Sequence, residues 1–250
     1  MMTPHVEYVL RIADSSLILG QRLSELCGHG PVLEEDIAIT NIALDCIGQA
    51  RLLLTHAGKL EGAGRDEDQL AFLRNEGEFR NVTLTELPNG DFGRVVLRNF
   101  LFSSFLEQLW AGLAASADTE LAAIAAKSAK ETRYHREHSA DWVVRLGDGT
   151  DESHGRMAQA LSALWPYMAE CFAADGVDDA VAASGIGVAW STLEAGWRQA
   201  VGPVLAEATL EPPPDTPFRS RGRCGVHSEH LGHLLAVMQH LQRSHPGARW

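Results

Sequence analysis

The chain has 250 residues, 45% of them hydrophobic and 22% charged, with a formal net charge of −12. That is enough apolar material for one sizeable core, and the sequence reads as a single domain over residues 1–250. Acidic balance and the lack of clustered Lys and Arg exclude a dedicated phosphate-binding surface for nucleic acid. The first residues, Met1 to Tyr8, show no basic leader with an apolar core, and no apolar run reads as long enough to span a bilayer, so the expected location is cytoplasmic. Cys27, Cys46, Cys171 and Cys224 are widely spaced without a Cys-x-x-Cys pair. They are expected to be reduced thiols, at least two of them buried on apolar helices.

Apolar residues recur at spacings of three and four along almost the whole chain, which predicts an all-α fold. Thr3 followed by Pro4 opens a helix to about Leu26, with proline at the first helical position. A second helix runs from about Leu33 to Leu60. Asp66 caps a third, through Glu76 towards Leu87, before the turn at Pro88-Asn-Gly90. The fourth spans Asp91 to Ala115, with Phe100, Phe105, Leu106, Leu109, Trp110 and Leu113 as core candidates. A fifth runs from Asp118 to Leu146 and stops at Gly147-Asp-Gly149. Shorter helices follow over about Asp151–Ala174, Ser191–Leu205 and Ser228–Ser244, the second opened by the capping-box spacing of Ser191 and Glu194. The proline-rich stretch from Glu211 to Pro217 is expected to be extended.

The second helix is strongly apolar yet carries Asn41, Asp45 and Gln49 at intervals of four, a polar line on an otherwise buried helix. A buried carboxylate needs a partner, so Asp45 is expected to be paired, hydrogen-bonded or metal-bound. Two further segments each hold half of a metal-ligand pattern. Carboxylate-bridged diiron bundles take a Glu from each of two helices and a Glu-x-x-His from each of two others, the spacing of three placing both ligands on one helix face. Here Glu76 is followed by Phe79 where a histidine would stand, and His135 is preceded by Thr132 where a glutamate would stand. Glu107 lies on a very apolar helix, and Glu131, Tyr134, His135 and His138 share a helix face, best explained by a polar helix–helix contact. His227, His230 and His233 recur every three residues, but that spacing drifts about 60° per step around a helix and reads as capping and loop contacts near the last helix start. Phosphate-binding glycine loops, nucleophile elbows and flavin or nicotinamide fingerprints are absent, so any redox partner would be another protein.

Several segments together resemble a specific family. They are Leu23-Ser-Glu-Leu-Cys-Gly-His29, Asn41-Ile-Ala-Leu-Asp45-Cys-Ile-Gly-Gln-Ala-Arg51, Leu87-Pro-Asn-Gly-Asp-Phe92, Glu131-Thr-Arg-Tyr-His135 with Trp142 and Arg145-Leu-Gly-Asp-Gly-Thr150, and His227-Ser-Glu-His-Leu-Gly232 running on to Trp250. The chain is similar to the C-type subunits of the bacterial phenylacetyl-CoA epoxidase, a multicomponent ring-epoxidising monooxygenase. The resemblance implies a ferritin-like four-helix bundle with additional C-terminal helices. It implies a structural subunit, without catalytic residues or cofactor of its own, that pairs with a diiron A-type subunit alongside a small B-type subunit and a reductase carrying flavin and an iron–sulfur cluster and using NADPH. It also implies vestigial ligand positions at Asp45, Glu76, Phe79, Glu107, Thr132 and His135, with Arg51, Arg74 or Lys130 expected to turn inward and neutralise Asp45, Glu76 or Glu107. A homodimer in isolation is a further expectation. The competing reading is an autonomous ferritin-like iron protein using Asp45, Glu76, Glu107, Glu131 and His135 in a rearranged site.

Overall fold

The computed structural model describes residues 2–248; Met1, Arg249 and Trp250, where the resemblance ends, lie outside the described residues. The described residues form helices and no strand, with an isolated antiparallel bridge between Arg221 and Val226. Contacts group the chain into two compact units: one takes in the chain up to Pro88 together with the segment from Ser220 onward, the other Asn89–Arg219.

In the first unit, α1 (Pro4–Ser24) starts where Thr3 accepts a hydrogen bond from the Val6 amide at 3.3 Å. Every residue from Tyr8 to Gly20 is buried, as a helix apolar nearly all round must be. α2 (Leu33–Glu61) lies along α1. Gly20 permits the approach, since a Cβ there would come within 3.0 Å of Ile47 and 3.1 Å of the Ala43 carbonyl. The Asp36 carboxylate accepts from the amides of Gly28 and Gly30, at 2.8 and 2.9 Å, and folds the α1–α2 connection back on itself. Contrary to the sequence reading, α2 is long and apolar enough to cross a membrane on length and composition alone. Here it serves as a packing partner of α1.

The helix expected from Asp66 to Leu87 is broken into three. α3 (Glu67–Phe72) opens with a capping box between Asp66 and Gln69, a 3-10 turn covers Glu76–Glu78, and α4 (Thr83–Glu86) follows. The cause is competition for carbonyls. α11 (Glu229–Ser244) sends Gln239 to the carbonyls of Ala71 and Arg74, at 3.1 and 3.0 Å. Arg243 from the same helix donates to those of Phe72, Leu73 and Arg74, at 3.1, 3.3 and 2.8 Å. Carbonyls that a continuing helix would use are thus taken by side chains from elsewhere, which terminates α3.

Arg74 itself turns inward. Its Nε donates to the Leu70 carbonyl at 2.6 Å, Nη1 to Asp14 Oδ2 at 2.9 Å, Nη2 to Asp14 Oδ1, and its guanidinium lies 4.3 Å from the Phe79 ring centre. Asp14 also accepts from the Arg80 amide at 2.8 Å. Both charges are essentially removed from water, with side-chain exposures of 2% for Arg74 and 0% for Asp14. A second buried carboxylate, Glu86, accepts from the Ser228 amide at 2.6 Å and from Asn81 at 2.8 Å, and meets His227 Nδ1 at 2.8 Å. His227 Nε2 faces the Phe79 carbonyl at 3.1 Å and must carry a hydrogen there. Nδ1 then either donates to ionised Glu86 or accepts from protonated Glu86. Of the histidine run, His227 thus sits just ahead of α11 against a buried carboxylate, while His230 and His233 lie within that helix.

In the second unit, α5 (Phe92–Leu113) and α6 (Thr119–Gly147) pack together, opened by Asp91 and Asp118 respectively. All six core candidates on α5 are buried. α7 (Asp151–Leu164) is capped by Thr150, but the helix expected through Ala174 yields at Trp165 to a 3-10 turn containing Pro166, then to the short α8 (Met168–Cys171). α9 (Gly176–Ala183), capped by Asp175, has no counterpart among the expected helices. α10 (Glu194–Glu207) begins three residues later than expected. The Ser191–Glu194 box does not form, because Trp190–Leu193 is already a 3-10 turn. Trp165, Phe172, Trp190 and Trp197 join Phe102 and Phe105 in a ring cluster beside α5, and Trp197 Nε1 donates to the Leu101 carbonyl at 3.0 Å. Residues 211–217 hold no helix, as their prolines require. Cys46 and Cys171 are buried, Cys27 and Cys224 exposed.

Two outcomes follow. Asp14→Ala leaves the Arg74 charge buried without its carboxylate and should cost about 3–5 kcal/mol of stability, whereas the double change Asp14→Leu with Arg74→Met should recover much of it. Urea unfolding of the three proteins measures both. At the α2 end, Arg65 Nε donates to Glu61 at 2.8 Å and the guanidinium holds the Glu61 carboxyl below its ordinary value. A lowered carboxylate contributes stability above its unfolded pKa and loses it as pH falls through the folded value. Glu61→Gln should therefore cost under about 1 kcal/mol at neutral pH, because the pair is part-exposed, and nothing once the carboxylate is protonated.

Candidate metal centre

Three of the six ligand-like positions lie in the first unit. Asp45 sits on α2 and is half-buried, not buried as the polar line implied; Asn41, one turn away, is exposed while Gln49 is buried. Glu76 is off the helix altogether, exposed in the 3-10 turn, where it borders a cavity of about 390 Å³ with Gly232, Gln239 and Arg243 of the α11 side. Phe79 is fully buried in extended backbone (φ −73°, ψ 152°), beneath the Arg74 guanidinium. The assumption that Glu76 and Phe79 share one helix face fails, since no helix runs through them.

The other three lie in the second unit. Glu107 on α5 is half-buried and pairs with Arg136 of α6 at 2.7 Å and Arg133 at 3.8 Å. Thr132 is fully buried, and its hydroxyl accepts from Trp110 Nε1 at 3.0 Å across the α5–α6 contact. His135, one turn on, is buried as well. Nearby, Asn99 Nδ2 donates to Ser139 Oγ at 2.6 Å and supplies a second polar tie between the same helices. Of the rest of the α6 cluster, Glu131 is half-buried and pairs with Lys127 of the same helix at 2.9 Å, and exposed Tyr134 lies tilted against half-buried His138 with ring centres 6.0 Å apart.

The expected neutralising cation exists, but at a different address. Arg51 is 75% exposed and pairs with Glu67 at 3.3 Å, and Lys130 is exposed. Of the three, Arg74 alone turns inward, and its partner is Asp14. Asp14, Glu86, Glu170 and Asp178 are buried carboxylates that the sequence reading missed. Asp14 had a signal, as the only charge between Arg11 and Arg22 on an otherwise uncharged stretch of helix; Glu86 had none.

A carboxylate-bridged pair of irons needs ionised, inward carboxylates with open lone pairs and two imidazoles. The residues present do not fit it. Phe79 has no donor atom, the Thr132 oxygen is engaged by an indole, Glu107 is neutralised by arginine, and Glu76 stands in solvent. What the α5–α6 positions do chemically is close a core: Thr132 and Glu107 each complete a hydrogen bond or ion pair within the protein. Thr132→Val should consequently cost about 1–3 kcal/mol by leaving the Trp110 N–H buried without an acceptor, while Thr132→Ser should be nearly neutral. Thermal unfolding with tryptophan fluorescence reads both changes.

Comparison with known proteins bears on the same chain length. The family profile described as phenylacetic acid catabolic protein matches residues 1–250. The chain is 47% identical over 243 residues to the C-type subunit of the 1,2-phenylacetyl-CoA epoxidase of Escherichia coli (strain K12), covering 97% of this chain and 98% of that protein. With both findings spanning essentially every element described above, the chain belongs to the phenylacetic acid catabolic protein family, whose fold is ferritin-like and all-α.

Proposed function

We propose that this chain is the non-catalytic subunit of a phenylacetyl-CoA 1,2-epoxidase, pairing with and stabilising a diiron A-type subunit. The complex would further contain a B-type small subunit and a reductase with flavin and an iron–sulfur cluster, drawing electrons from NADPH in the cytoplasm. The reaction assigned to the complex places one oxygen of O₂ across the ring 1,2-bond of phenylacetyl-CoA and releases the other as water. In this reading the six ligand-like positions are the remains of a metal site shared by ancestry with the A-type chain.

The observation that carries the reading is the state of Thr132. Where a bridging carboxylate would stand, a hydroxyl accepts from the Trp110 indole, so restoring a ligand would require breaking a buried hydrogen bond and finding room for a larger charged group. Phe79 in place of a histidine supports it independently, because the ring is locked under Arg74. Both residues now contribute to folding. A chain whose metal positions have become stabilising contacts retains the bundle as a surface for a partner.

The test is reconstitution with purified components. Alone with the reductase, NADPH and phenylacetyl-CoA, this chain should give no epoxide; on co-expression the A-type partner should co-purify with it and turn over. Epoxide formation by this chain without the A-type partner would contradict the assignment, as would an A-type partner that is equally soluble and active in its absence.

A further inference from the structure

The second unit holds a cavity of about 230 Å³, walled by the turn at Trp165, by α8 and α10, and by the helix-free segment that follows α10. Its walls are aromatic. The Trp165 and Trp197 rings lie 5.1 Å apart between centres, and Phe172 lies 5.2 Å from Trp197. Trp197 is 1% exposed, and its Nε1 is already bonded to the Leu101 carbonyl, so the indole is anchored and turns carbon to the cavity. Met168 adds a polarisable sulfur. Where the cavity meets solvent, its lining is charged. Glu194 and Asp215 both converge on Arg198, at 2.7 and 3.7 Å. Arg219 meets carbonyls only: Nη1 donates to those of Thr216 and Phe218, both at 2.7 Å, and no carboxylate among the described residues pairs with it.

We propose that this cavity binds a small aryl carboxylate, its ring between Trp165, Phe172 and Trp197 and its carboxylate on Arg219. Size sets the ring. An apolar cavity of about 150 Å³ holds one benzene molecule, so 230 Å³ takes a single six-membered ring with a tail of about two carbons, an arylacetate. Aromatic walls give such a ring offset-stacked or edge-on contacts that an aliphatic ring of the same size cannot make. Charge sets the tail. A quaternary ammonium group would also suit aromatic walls, but both carboxylates able to serve it are engaged by Arg198. Arg219 keeps Nε and Nη2 for an anion, and a guanidinium takes a carboxylate in bidentate fashion. A coenzyme A thioester of the same acid presents a neutral carbonyl there and forgoes that pair. The inference concerns the isolated chain and does not depend on the epoxidase assignment.

An NMR titration of the purified full-length chain, observing the ring protons of phenylacetate, should give a Kd of about 0.1–1 mM, the range open to about ten non-hydrogen atoms. Arg219→Gln, a change at an exposed position, should weaken binding about fivefold or more with the helical spectrum unchanged. Phenylacetamide should bind the unaltered chain as poorly as phenylacetate binds that variant, because each removes one half of the ion pair. Cyclohexylacetate, which keeps the charge and loses the aromatic ring, should also be weaker. Ala169→Leu fills the cavity from α8, away from the charged lining, and should abolish binding. No binding at about 10 mM phenylacetate, or equal binding of phenylacetate and phenylacetamide, would overturn the proposal. So would an Arg219→Gln chain that binds as tightly as the unaltered one, a preference for benzyltrimethylammonium over phenylacetate, or tighter binding of phenylacetyl-CoA than of the free acid.

Discussion

A buried guanidinium–carboxylate pair, Arg74 on Asp14, organises the first unit. Two charges moved out of water are costly unless their geometry is nearly complete, and here the carboxylate accepts from both Nη atoms and the Arg80 amide, while Nε donates to the Leu70 carbonyl and Nη1 also to that of Glu78. Arg74 reaches back to α1 just after α3 ends. The Phe79 ring is consequently held under the guanidinium, the Arg80 amide is directed at Asp14, and α4 begins only after the turn. The neighbouring Glu86–His227 contact then ties the returning carboxy-terminal segment to the same region. The ion pair thus fixes the position of Phe79, while Gln239 and Arg243 end α3 by taking its carbonyls.

In the second unit the corresponding role falls to neutral polar contacts. Trp110 on Thr132 and Asn99 on Ser139 fix the register of α5 on α6, and Arg136 on Glu107 closes the rim. These are inexpensive to bury because each donor meets an acceptor. The first unit thus ties α1 to the segment after α3 with a buried ion pair, while hydroxyl and amide bonds tie α5 to α6 in the second.

Much of this was legible beforehand. Helix starts were clearest wherever a side chain caps them: Thr3, Asp66, Asp91, Asp118 and Ser228 all do so. Helix ends set by distant groups were not legible, since nothing near Phe72 announces that Gln239 and Arg243 will take its neighbouring carbonyls. For the same reason, the spacing of Glu76 and Phe79 looked helical although the backbone between them is not. Asp45 misled differently: an apolar helix suggested complete burial, but α2 leaves a face uncovered, and local periodicity does not say which apolar face finds a partner within the chain. The identity of Thr132 and Phe79 was readable, whereas their partners Trp110 and Arg74 required the fold.

The account stands or falls on whether this chain can assemble a metal centre by itself. Elemental iron analysis of the isolated chain, purified after growth with abundant iron, addresses that most directly. The account predicts iron far below one equivalent per chain; about two irons per chain, bound without any other subunit, would contradict it and return Asp45, Glu76, Glu107, Glu131 and His135 to consideration as ligands.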